Sequence, residues 1–133
     1  MPANLAPIFP VAPVVGIASL TSATAVTSRA NIASTTGLTK LTDVSTNGLR
    51  VDQITVSAKG NTSAGAIDLW VYDGTTSRYF GSIDITANTA STTNDPFTVS
   101  RSFNTLVLPP TYQLYVSETV QQDVNVFAFG GVY

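Results

Sequence analysis

From about residue 33 onward the chain alternates short apolar runs with clusters of Gly, Asn, Asp, Ser and Thr, the rhythm of an all-β domain. Residues 50–59 (RVDQITVSAK) show the period over their second half. Ile54, Val56 and Ala58 fall on one side and Gln53, Thr55 and Ser57 on the other, as in a half-buried strand. Residues 66–72 (AIDLWVY) repeat the pattern, with Ile67, Leu69 and Val71 opposite Asp68, Trp70 and Tyr72. Asp73-Gly74 follows at once. Residues 78–86 (RYFGSIDIT) then return, with Tyr79, Ile83 and Ile85 predicted on one face and Arg78, Phe80, Ser82 and Asp84 on the other. Asp-Gly between two alternating runs is a hairpin signal, because glycine accepts a positive φ and the aspartate caps its own turn. Asp73 is thereby given a structural job without any chemistry.

Further strands are expected over residues 14–27, 38–44, 97–103, 112–119 and 123–129, with a short buried run at 106–108 stopped by Pro109-Pro110. Asn47-Gly48 marks a turn, residues 60–65 and 89–95 are loops, and Gly130-Gly131 ends the last strand. No segment of helical length carries a 3.6-residue period. The prediction is an all-β fold over residues 31–133, an antiparallel β-sandwich of jelly-roll or immunoglobulin-like type. Residues 1–30 differ. They are rich in Pro, Ala and Val, contain no acidic residue, and read as an extended arm. Pro2, Pro7, Pro10 and Pro13 break any helix there and no Lys or Arg precedes the apolar stretch, so neither a cleaved leader nor a membrane-spanning helix is expected. An arm this apolar is poorly satisfied in water and is expected to lie on a surface of this domain or of another chain.

Composition changes the picture in two ways. Only 11% of the 133 residues are charged, less than half the usual share of about 25%, and Ser and Thr fill roughly a quarter of the chain. Such a surface lacks the repulsion that keeps monomers apart. The six basic residues are scattered and the net charge is −2, so nucleic acid is not an expected partner. The chain also has no histidine and no cysteine. That removes the commonest general base, every Ser-His or Cys-His arrangement, thiolate metal sites and disulfides.

The remaining candidate sites are thin. The eight acidic residues stand singly, and Asp52, Asp68 and Asp84 on strand faces make no metal-binding motif. Glu118, the only glutamate, lies near a strand end without recognisable context for a glycosidase pair. Asn61-Thr62-Ser63 matches the glycosylation sequon at a frequency chance supplies in a Ser/Thr-rich chain. Gly130-Gly131 precedes no helix and is not a phosphate loop. No catalytic residue, metal ligand or cofactor is assigned. Trp70 and Tyr72, with Arg78 or Phe80 brought beside them across the hairpin, make a ring-bearing face. It reads either as packing and contact surface or as a platform for sugar rings, with Asp68 or Asp84 accepting hydroxyls.

Residues 41–133 resemble a group of small virion proteins of tailed bacteriophages. The resemblance rests on LRVDQITVSAKGNTSAGAIDLWVYDGTTSRYFGSI, with its Arg-Val-Asp triplet and Asp-Gly turn, on LVLPPTYQLYVS, and on VNVFAFGGVY with its terminal Gly-Gly. It implies a β-sandwich that assembles on a virus particle, similar to capsid decoration (cement) proteins. Such a protein would sit on the capsid's outer surface as a homotrimer, bind the major capsid protein and catalyse no reaction. In that setting the arm would lie across a capsid or neighbouring subunit through Ile8, Phe9, Val11, Val14 and Val15. Trp70, Tyr72, Arg78 and Phe80 would form a second contact face, and Phe127, Phe129 and Tyr133 would pack in the core or at the trimer axis. The alternatives are a tail- or fibre-associated protein and a carbohydrate-binding β-sandwich module.

Overall fold

Eight strands make two four-stranded antiparallel sheets in the computed structural model, which describes residues 12–21 and 24–133, with the backbone alone at Thr105. The strands are β1 (Ala12–Ser19), β2 (Thr39–Lys40), β3 (Leu49–Ala58), β4 (Gly65–Tyr72), β5 (Ser77–Ile85), β6 (Thr98–Leu108), β7 (Gln113–Glu118) and β8 (Val124–Val132). One sheet has the order β1-β8-β3-β6 and the other β2-β7-β4-β5. Partners nest about the β4–β5 hairpin: β4 with β5, β3 with β6, β2 with β7 and β1 with β8. This is the order obtained by rolling up one long antiparallel ribbon, so of the two sandwich types expected the chain adopts the jelly-roll.

The core follows the alternation where the alternation is clean. On β3, Ile54, Val56 and Ala58 point inward, and Ile67 and Leu69 of β4, Ile83 and Ile85 of β5, and Leu114 and Val116 of β7 meet them from the other sheet. β8 contributes Val124, Val126 and Ala128. Two irregularities re-aim side chains. Asp52 is an extra residue between Val51 and Gln53, whose partners on β8, Gly130 and Phe129, are consecutive. Phe80 is the extra residue on β5, where Gly81 pairs with Leu69 and Tyr79 with Trp70. Such bulges shift the side-chain phase by one. Tyr79 therefore turns to the outer face beside Trp70, not to the core side expected for it.

Several boundaries differ from the sequence reading. The first strand stops at Ser19, and β1 is a full member of the sheet, so the sandwich takes in residues assigned to the arm. β6 runs unbroken across the predicted gap before Leu106. β8 continues through Gly130 and Gly131 instead of ending there. The reason at Gly130 is close approach: a Cβ would overlap the carbonyl oxygen of Arg50 on β3, so the strand passes only without a side chain.

Residues 24–36 are not a strand. They cross the outer face of the second sheet obliquely. Val26 N–H donates to Glu118 O at 2.8 Å on β7, and Arg29 makes a two-pronged bond to Asp68 on β4, both contacts 3.1 Å. Ile32 and Ser77 of β5 then exchange backbone hydrogen bonds of 3.0 and 2.7 Å. This strap makes β4 a strand buried on both faces.

Candidate functional site

The hairpin expected from Asp73-Gly74 is present and its turn is heavily bonded. Asp73 Oδ1 accepts the N–H of Thr75 (2.9 Å), the N–H of Thr76 (2.8 Å) and the Thr75 hydroxyl (2.9 Å), and Oδ2 accepts Arg78 Nη1 at 2.8 Å. These donors, the Thr76 N–H first, hold the carboxyl well below the usual aspartate range. Gly74 sits at φ 100°, where a side chain is strained. Both carboxylate oxygens of Asp73 are engaged in shaping the turn.

The proposed contact face on this hairpin is not one surface. Trp70 is fully buried; its Nε1–H donates to Ser117 Oγ at 2.9 Å and its ring meets Tyr79 edge-on at 6.0 Å. Tyr72 is half-buried, stacks edge-on with Tyr115 at 5.5 Å, and donates to Gly74 O at 2.8 Å. Arg78 is tied to Asp73 and lies opposite Val71, on the side of β4 away from Trp70. Phe80, 38% exposed in its bulge, is the most open of the three rings. Asp68 is likewise enclosed, accepting from Arg29 and from Ser82 Oγ at 2.7 Å. The Tyr79 hydroxyl lies 2.6 Å from Ser82 Oγ and the Arg29 guanidinium stands 4.9 Å over the Tyr79 ring. Ring and carboxylate belong to the anchorage of the strap.

Of the arm residues, Ile8, Phe9 and Val11 lie outside the described residues. Val14 turns partly into the sandwich, and Val15 stands outward at 56% exposure. Beside it lies the surface that the sequence reading missed. The β1–β8 register sets Val15 opposite Phe129 and Ile17 opposite Phe127, all four on the outer face of the first sheet. Ile17 is 59% and Phe129 40% exposed, and the two phenylalanine rings stack at 6.3 Å. The face grades across β3 through Gln53 and Thr55 to Ser102 and Ser100 of β6. Phe127 and Phe129 therefore do not pack in the core. β8 has two faces, Val124-Val126-Ala128 inside and Asn125-Phe127-Phe129 outside, so the bulkier one is outside.

Among the described residues β1 is also the last strand of its sheet, and one side of it has no strand partner there. Along that side runs a groove of about 450 Å³ between Pro13–Ile17 and Lys40–Val44, with the Lys40–Asp43 ion pair (2.6 Å) in its lining. No group of three or more metal-ligating side chains occurs among the described residues. A comparison of the chain with protein-family models, curated proteins and solved structures returns no match. What fold and surface define is a jelly-roll domain that, among the described residues, exposes apolar side chains along an edge strand and the sheet face beside it.

Proposed function

We propose that the chain is a non-enzymatic virion structural protein, a decoration (cement) protein that binds and stabilises a phage capsid shell. The observation that carries this reading is the outward apolar face of β1 and β8, with Val15, Ile17 and Phe129 exposed and Phe127 half-buried between them, next to a strand edge unpaired among the described residues. Contiguous apolar surface and free strand edges are what assembly partners cover. The sparse charge supports the same reading, as does the resemblance of residues 41–133 to small phage virion proteins. The jelly-roll recurs in viral capsid domains and in lectins, which is analogy at the level of fold. A sugar platform built on Trp70 and Tyr72 has less support, because Trp70 is enclosed.

The test has two parts. Light scattering on the purified protein is expected to give an assembly near three times the 13.9 kDa chain mass. Co-sedimentation with shells of the major capsid protein is expected for the native chain and lost in an I17D/F129D variant that still folds. A folded monomer that leaves shells unbound would sink the reading.

A further inference from the structure

β7 carries the chain's only glutamate, Glu118, into the interior. Its register partner on β4 is the core residue Ile67, and Glu118 is fully buried. Oε2 accepts the backbone N–H of Gln122 at 3.2 Å, while Oε1 finds no partner among the described residues. A carboxylate placed there leaves one oxygen without a donor and its charge without a cation, whereas the neutral acid is far cheaper to bury.

The charged groups around it do not relieve this. Asp123, at the far end of the same turn, is an anion bound to Thr21 Oγ1 (2.8 Å) and to Lys59 Nζ (3.2 Å). Lys59 is thus engaged by Asp123. On β4, Asp68 points to the opposite face of the sheet with Arg29, and on β5 Asp84 pairs with Ala66 on that same opposite face. Residues 20–21 and 24–27 carry no ionisable side chain. Burial above all pushes the Glu118 carboxyl up to about 7, with the Gln122 N–H acting against it and the Asp123 charge adding to it.

Glu118 is also a structural junction. Its carbonyl takes the N–H of Val26, where the strap begins. Its carboxyl holds Gln122, whose side chain in turn bonds the N–H (3.0 Å) and carbonyl (3.3 Å) of Ser63. Asp123 O accepts Lys59 N–H at 3.1 Å. The turn at 119–123 therefore ties together the end of β1, the β3–β4 loop and the strap.

We propose that Glu118 is a proton-operated latch. Neutral, it keeps the 119–123 turn and the start of the strap closed over this end of the sandwich. Ionised, it draws water in and loosens both. The sign follows from the folded carboxyl lying above its unfolded value of 4.5: the latch is at full strength below about that pH and is lost as pH rises through about 7.

Because there is one glutamate, δ-¹³C-glutamate labelling gives one side-chain carboxyl resonance to titrate. A midpoint near neutrality is expected; a midpoint in the ordinary range of exposed glutamates overturns the proposal. Hydrogen exchange at the Val26 and Gln122 amides, taken as the ratio of wild type to E118Q at each pH, removes the intrinsic base dependence. That ratio is expected to rise roughly tenfold between pH 5.5 and 8.5, and a ratio that stays constant overturns the latch. If E118Q fails to fold, the exchange rates of the same two amides in an unstructured peptide of the same sequence serve as the reference, with the same two outcomes.

Discussion

Asp73 shows how much one side chain organises when both of its carboxylate oxygens are engaged. Four donors converge on it, so replacing it removes the turn's internal frame while leaving Gly74 free to keep its φ. The D73A protein is expected to melt lower than wild type near pH 7. Its folded carboxyl is depressed, so this contribution is present above the ordinary value of 3.8 and is lost as pH falls below it. Melting temperatures of the two proteins should therefore converge in acid, and a difference that persists unchanged at pH 2 would contradict the account. Gly130 is the opposite case, a residue defined by what it lacks. G130A places a methyl group on the Arg50 carbonyl and forces β8 away from β3, an expected loss of about 1–3 kcal/mol in denaturant unfolding.

At the scale of elements, the strap decides what the second sheet can do. Arg29 is its central pin, and removing it leaves Asp68 buried with only Ser82 as a side-chain donor. R29A is expected to unfold at a lower denaturant concentration than wild type, by less than the loss of a fully buried pair because the Arg29 side chain is 48% exposed. The single tryptophan lies under the strap, so the same variant should red-shift its emission and open it to acrylamide. An unshifted spectrum would mean that Trp70 is covered by something else. This element also marks where sequence reading stops. β3, β4 and the hairpin were legible because a period of two and an Asp-Gly turn are local signals. The strap has no period, and the burial of Trp70 depends on a segment some 40 residues earlier in the chain. The faces of β5 were misread for a related reason: the bulge at Phe80 is set by pairing with β4, and nothing in RYFGSI announces it. On β8 only the strand was read, because which of its two faces turns inward depends on the opposite sheet.

For the whole molecule the decisive feature is the β1–β8 face, where Val15, Ile17 and Phe129 stand exposed side by side among the described residues. The I17D/F129D substitutions fall on positions outside the core, so they should lower the stability of the isolated domain by only about 1–2 kcal/mol in all, mainly through the lost Phe127–Phe129 stack and cross-strand pairs. Their expected effect on assembly is much larger, and that separation distinguishes a contact surface from a packing role. Closure of the fold, by contrast, depends on the end of the chain. β8 lies between β1 and β3, so a chain ending at residue 123 leaves both without their shared neighbour. It is expected to show no cooperative unfolding transition. The nested pairing also sets a timetable for synthesis. Only β4 and β5 are close enough in sequence to pair as soon as they are made, and every later pair spans a longer loop. Ser19 and Asn125, bonded at 2.7 Å, are 106 residues apart. Until that last stretch leaves the ribosome, APVVGIAS is an apolar strand with no place in a sheet. The first strand described is the last to be paired.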